Sequence, residues 1–236
     1  MTRVHVITGG PTYAHDFTGS EGTGTALATM IAEAGHDVLC TDDVEAGLLA
    51  SGDADVVVIN ALRWRMLADR YRPWRDEWAY SPSAEARRAI FEFVRTGGGL
   101  IASHTAVICF DDWHEWGDLL GGSWVWEVSS HPAPQPVAAR LSASHHPVLQ
   151  GVSALELVDE VYGDLRIGDD VTVLATAQRY EGDDDQPVVW THSLGAGRVV
   201  VDGFGHDAAS LQSPEHRRLL LNAVAWCAHH REPVAS

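Results

Sequence analysis

Two apolar stretches of this sequence each end in a histidine. Gly97-Gly98-Gly99-Leu100-Ile101-Ala102 runs into Ser103-His104, and Val199-Val200-Val201-Asp202-Gly203-Phe204 runs into Gly205-His206. An imidazole titrates near neutral pH, so at such a position it can serve as general acid, general base or metal ligand. His15 follows the first apolar stretch in a loop that opens with Gly9-Gly10, and His131 precedes Pro132. Asp159-Glu160-Val161-Tyr162 closes another stretch with two carboxylates. Histidines beside carboxylates suit zinc or another divalent metal, with His104, His131 and His206 as candidate ligands. No HExxH or HxH spacing accompanies them, so such a site must be assembled from positions far apart in the chain. The alternative for either histidine alone is a structural cap at a strand end.

A covalent mechanism lacks its nucleophile. Ser103 is flanked by Ile101 and Thr105, not by the glycines of a G-x-S-x-G elbow. Cys109 lies five residues beyond His104 and reads as a small buried residue. His145-His146-Pro147 reads as a turn, and His229-His230 as a frayed chain end. Asp183-Asp184-Asp185 reads as a solvated loop, because the further carboxylates of a calcium site do not follow.

The elements that must position these groups alternate in type. The pattern predicts a strand over 4–8, a helix over 18–34 stopped by Gly35, a strand over 37–41, a short helix over 44–50 and a strand over 55–60. A helix with its start at Ser81-Pro82-Ser83 leads to Arg95 and the triple-glycine strand. Another helix ends at Gly121-Gly122. Apolar strands without alternation, set between helices, predict a mostly parallel sheet with helices on both faces. In such sheets ligands bind at the carboxyl ends of the strands, where His104 and His206 stand. The second half instead predicts short strands over 136–141, 155–159, 171–175 and 187–192, then a turn at Gly195-Ala196-Gly197-Arg198 and a closing helix over 214–229. Residues 62–80 break the rhythm with Trp64, Trp74, Trp78 and five arginines. That segment is either a functional loop or a surface insertion that covers the core or a homodimer contact.

The 236 residues are 45% hydrophobic, enough for a substantial core, and show no repeat or linker, which predicts one domain over 1–236. Sixteen Lys and Arg stand against 33 Asp and Glu, a formal net charge of −17. Such a surface repels phosphate backbones and anionic bilayers, so neither nucleic acid nor membrane is expected as a partner. Three scattered cysteines and no leader or long apolar run predict a cytoplasmic protein without a membrane span.

Taken in order, the motifs resemble those of the ThuA-like, trehalose-utilisation family. They are Gly97-Gly98-Gly99…His104, Phe110…Trp113, Leu120-Gly121-Gly122, His131-Pro132, His146-Pro147…Gly151 and Asp159-Glu160-Val161-Tyr162. Pro187-Val188-Val189-Trp190-Thr191, Gly195…Gly197-Arg198-Val199, Gly205-His206 and Arg217-Arg218-Leu219-Leu220…Trp226 continue the set over nearly the whole chain. The resemblance implies a flavodoxin-like, class I glutamine amidotransferase-like α/β fold with an added antiparallel portion. His104 occupies the elbow where true amidotransferases carry cysteine, which speaks against glutaminase activity. The family link implies catabolism of trehalose-like disaccharides or their 3-keto derivatives. On that reading His104, His131, Glu160 and His206 act as acid, base or ligands in a keto-sugar hydrolase or isomerase, with or without a divalent metal such as zinc. His15, Asp159 and Tyr162 line the sugar, and Trp113, Trp124 or Trp126 stack on it. The alternative is a non-catalytic carbohydrate-binding or regulatory module on the same scaffold.

Overall fold

The computed structural model describes residues 1–142 and 145–228. The chain opens with β1 (Arg3–Gly9), α1 (Thr23–Glu33), β2 (Asp37–Thr41), α2 (Val44–Leu49) and β3 (Val56–Ala61). After a short helix α3 (Arg75–Trp78) come α4 (Ala84–Arg95), β4 (Gly99–Ser103), α5 (His114–Leu120) and the two-residue β5 (Gly122–Ser123). The second half holds β6 (Gln135–Leu141), β7 (Leu155–Asp159), β8 (Arg166–Ile167), β9 (Thr172–Gln178), β10 (Asp185–Leu194) and β11 (Gly197–Asp202). It closes with α6 (Ala208–Gln212) and α7 (Pro214–Ala228).

Nine strands form one sheet in the order β2-β1-β3-β4-β11-β10-β9-β6-β7. Pairing is parallel from β2 to β11 and antiparallel from β11 to β7. The mixed sheet agrees with the sequence pattern, and the central strands show why. β3 and β4 are buried along their whole length. Val56, Val58, Ile101 and Val200 face one core with Leu27 and Ile31 of α1 and Leu219, Leu220 and Val224 of α7. Val57, Ile59, Leu100 and Val201 face the other, with Leu48, Ile90, Phe93 and Leu119 of α2, α4 and α5. Two-sided burial leaves no polar face, so alternation disappears from the sequence. The close fit extends to Gly99, where an added Cβ would meet the Cβ of Cys227 at 2.6 Å.

Some boundaries differ from the sequence pattern. α1 begins at Thr23, not at residue 18, because Gly19 and Gly22 turn the chain first. The Asp16 carboxylate accepts the Gly19 N–H at 2.9 Å, and the Gly22 N–H donates to the Gly19 carbonyl at 2.8 Å. β9, β10 and β11 extend past their apolar cores because ladder pairing continues through polar residues such as Gln178 and Asp185. The 62–80 segment turns apolar side chains inward. Leu62, Trp64 and Met66 bury against Phe17 as a third, small cluster, whereas Leu67 and Trp74 stay exposed.

The start of α4 is capped as expected: Ser83 Oγ accepts the Ala86 N–H at 3.1 Å. Ser83→Ala removes that acceptor and is expected to cost about 1 kcal/mol. Thermal unfolding should show a Tm lower by roughly 2–4 °C in a chain of this size.

Candidate functional site

β4 ends at Ser103, and the chain turns sharply there. His104 takes a left-handed backbone, φ 51°, which a residue with a Cβ adopts at a cost and which is found at functional turns. Its side chain is 1% exposed and fixed from two sides. Nδ1–H donates to the Gly203 carbonyl at 2.9 Å, which leaves the lone pair on Nε2. The Tyr162 ring stacks on the imidazole at 4.9 Å, and its hydroxyl donates to Nε2 at 3.0 Å. Burial, with the charges of Glu160 and Asp159, pushes the Tyr162 phenol far above its ordinary range, so it stays a donor. Gly205 lets the end of β11 pass this turn. Its φ is +117°, and an added Cβ would lie 3.4 Å from Ser103 Oγ and 3.7 Å from His104 Cβ.

Glu160 sits at the centre. Its side chain is 6% exposed, and its carboxylate lies 3.4 Å from His104 Nε2, 3.2 Å from His131 Nδ1 and 3.3 Å from His206 Nδ1. Burial opposes the charge, but the contacts with His104, His131 and His206 outweigh it and hold the carboxyl below the usual carboxylate range. In return the Glu160 contact raises His131 and His206 against the effect of burial. His15 completes the group with its ring 5.1 Å from His104 and 4.7 Å from His206. Its Nδ1–H donates to the His206 carbonyl at 3.2 Å. Burial and then its two histidine neighbours push His15 down to about 4, so it is neutral at pH 7.

One ligand-capable atom from each of His15, His104, Glu160 and His206 falls within 4.8 Å of the other three. Of the candidate ligands His104, His131 and His206, the first and last fall in this group and His131 does not. His15 and Glu160 are its other two members. His131 touches Glu160 from the rim, 37% exposed, with its Nδ1–H shared with the Pro132 carbonyl at 3.0 Å.

A second, fully buried layer holds these groups in place. Asp159 was expected among the sugar-lining residues; the structure places it behind the site, 0% exposed. Its carboxylate accepts N–H bonds from Glu160 and Gly205 at 2.8 Å and from His206 at 3.3 Å, as well as the Ser210 hydroxyl. Asp202 accepts the Phe204 N–H at 3.1 Å and the His216 Nε2–H at 2.6 Å. His216 Nδ1–H donates to the Ser210 carbonyl at 3.0 Å. The sequence reading missed this layer. The one signal for it is that an acidic residue, Asp159 or Asp202, closes each of two strands after an apolar run.

Trp113 is also corrected. It is 6% exposed, packed in the core against Phe110 and Trp116, with the Arg87 guanidinium over its ring. Tyr162 is likewise buried and acts on His104. Trp124 is half-buried beside the site, 6.1 Å from His131 and 5.6 Å from Tyr162. Trp126, also half-buried, packs on Trp64 at 6.0 Å. Cys109 is buried, bonded to the Ala61 carbonyl, with a thiol that burial pushes up to about 12, so it offers no thiolate. His145 and His146 stand in a turn, with His146 Nδ1 accepting the Val148 N–H. Asp183 and Asp185 pair with Arg179 and Arg140. His229 and His230 lie outside the described residues.

Solved structures share this architecture. A ThuA-like protein from Parabacteroides merdae superposes with a TM-score of 0.77 at 20% identity, over 97% of this chain and 90% of that one. A cytoplasmic protein from Salmonella typhimurium gives 0.64 at 15% identity, over 96% and 99%. The β-galactosidase of Rahnella sp. R3 gives 0.55 at 17%, with 96% of this chain matched to 31% of that enzyme. At these identities the likeness establishes the fold. No curated protein matches the sequence. The ThuA family, described as trehalose utilisation, matches residues 3–227, nearly the whole length, and the chain therefore belongs to that family.

Proposed function

We propose that this protein is a sugar-catabolic enzyme. It takes a trehalose-like disaccharide, or its 3-keto derivative, at the His104–Glu160 centre, and on the keto derivative it removes the proton from the carbon next to the ketone and returns one. The observation that carries the reading is the ionised, buried Glu160 held among three imidazoles at the carboxyl edge of the sheet. A ketone acidifies its neighbouring C–H bonds, and a carboxylate–imidazole pair is suited to move that proton. His131, at the exposed rim, exchanges it with solvent. Trp124 offers an apolar ring face beside the centre for the C–H face of a sugar. A cytoplasmic location fits three free cysteines, none in a disulfide. Among the described residues no helix is long and apolar enough to cross a membrane.

The test is turnover of trehalose and 3-ketotrehalose by the purified chain and by His104→Gln. We expect the keto-sugar to be consumed and the variant to be slower by at least about 100-fold. Unchanged turnover in the variant overturns the reading. Saturable binding of the sugar with no turnover replaces it with a carbohydrate-binding module.

A further inference from the structure

We propose that His15, His104, Glu160 and His206 bind one divalent metal ion of the zinc type. The ion would occupy the same centre as the sugar chemistry above, so its role in that chemistry, though not its binding, rests on that reading.

The centre holds an excess of lone pairs. His104 carries its proton on Nδ1, which is committed to the Gly203 carbonyl. Its Nε2 lone pair accepts the Tyr162 hydroxyl at 3.0 Å and also faces Glu160 Oε2, a second acceptor, at 3.4 Å. Glu160 Oε2 and His206 Nδ1 are both buried, and neither makes a well-formed hydrogen bond. Buried polar atoms without partners are rare and call for an explanation. One proton would serve one such pair. One divalent cation would serve all four donors at once.

The rings are also oriented as ligands. Metal-binding imidazoles are usually fixed by a hydrogen bond from the other ring nitrogen to a carbonyl or carboxylate. His104 and His15 both show that arrangement, through the carbonyls of Gly203 and His206. Three imidazoles and one carboxylate form a donor set that suits zinc and its first-row neighbours better than magnesium or calcium. With zinc–ligand bonds of about 2.0–2.2 Å, tetrahedral ligand atoms stand roughly 3.3–3.6 Å apart. The present limit is 4.8 Å, so binding would draw the four atoms together by roughly an ångström. The Tyr162 hydroxyl would then turn its proton from His104 Nε2 to the Glu160 carboxylate, and His131 would flank the ion without ligating it.

The experiment uses the untagged full chain, treated with chelator, dialysed and reloaded. Zinc is counted by elemental analysis, and cobalt(II) is titrated while its visible d–d absorption is followed. One ion per chain is expected in the wild type and in His131→Ala. His15→Gln, His104→Gln, His206→Gln and Glu160→Gln should each weaken binding beyond the roughly 10–100-fold typical of losing an outer-shell partner. Circular dichroism checks that each variant is folded, and a zinc-dependent rise in Tm, present in the wild type and absent in folded variants, gives a second readout. The proposal is overturned if the wild type takes up no more metal than a His104→Gln/His206→Gln double variant, or if the single variants bind as the wild type does. Metal uptake without sugar turnover removes the sugar reading and keeps the metal centre; turnover without metal uptake does the reverse.

Discussion

Glu160→Gln is expected to lower keto-disaccharide turnover by about ten-thousand-fold, the upper end for loss of an acid–base group. The carboxylate touches His104, His131 and His206 together, so one substitution removes the partner of three imidazoles. Glutamine keeps the shape and the buried volume, and Asp159 continues to accept the backbone N–H groups on either side of the site. The fold should therefore survive, with a Tm within a few degrees of wild type. Single-turnover kinetics beside a thermal melt check both halves. A variant that folds normally and keeps turnover within tenfold would remove Glu160 from the chemistry.

His216→Ala should have the largest effect on stability. His216 and Asp202 are both 0% exposed and 2.6 Å apart. Removing one partner strands the other charge in the core, which costs about 3–5 kcal/mol and lowers Tm by roughly 6–20 °C in a chain of this size. The pair also sets a pH dependence. Burial lowers the His216 pKa, but the Asp202 charge, the hydrogen bonds to Asp202 and Ser210 and the nearby Asp159 outweigh it, and the net shift is upward. A group with its folded-state pKa above the unfolded value contributes fully below the unfolded value, about 6.5, and loses that contribution as pH rises through the raised pKa. Melts of the wild type and of Asp202→Asn/His216→Gln, which carries neither charge, should differ most just below about pH 6.5 and converge on the alkaline side. A gap that widens with rising pH would refute the assignment.

Much of the fold was legible because local rules and tertiary packing agree. Val56 to Ile59 and Leu100 to Ala102 are apolar without alternation because helices cover both faces of their strands. Ser83 caps α4, and Gly121 in a left-handed conformation ends α5. Among the candidate-site residues, His104 and His206 were legible for the same reason: His104 directly follows β4 and His206 stands four residues past the end of β11, and such parallel strands share one carboxyl edge. Trp113 was misread because a tryptophan beside Asp112 and His114 has the same letters whether its ring stacks on a sugar or, as here, on Phe110 and Trp116.

The sequence by itself determined the sheet, its helical cover and the two histidine-bearing turns, because hydrophobic periodicity and strand-end turns are local properties. It also marked Glu160 as a carboxylate at a strand end. Only the tertiary structure decided that Glu160 meets those histidines. β7 is the last strand in the sheet order, several strands away from β4 and β11, yet Glu160 lies 3.4 Å from His104. The antiparallel end of the sheet must fold back to bring it there, and hydrogen bonds from Glu160, Gly205, His206 and Ser210 to one buried carboxylate, Asp159, fix the junction. Those contacts span up to 51 residues of sequence. No local pattern encodes a pairing at that range, because it depends on how the whole sheet packs against α6 and α7.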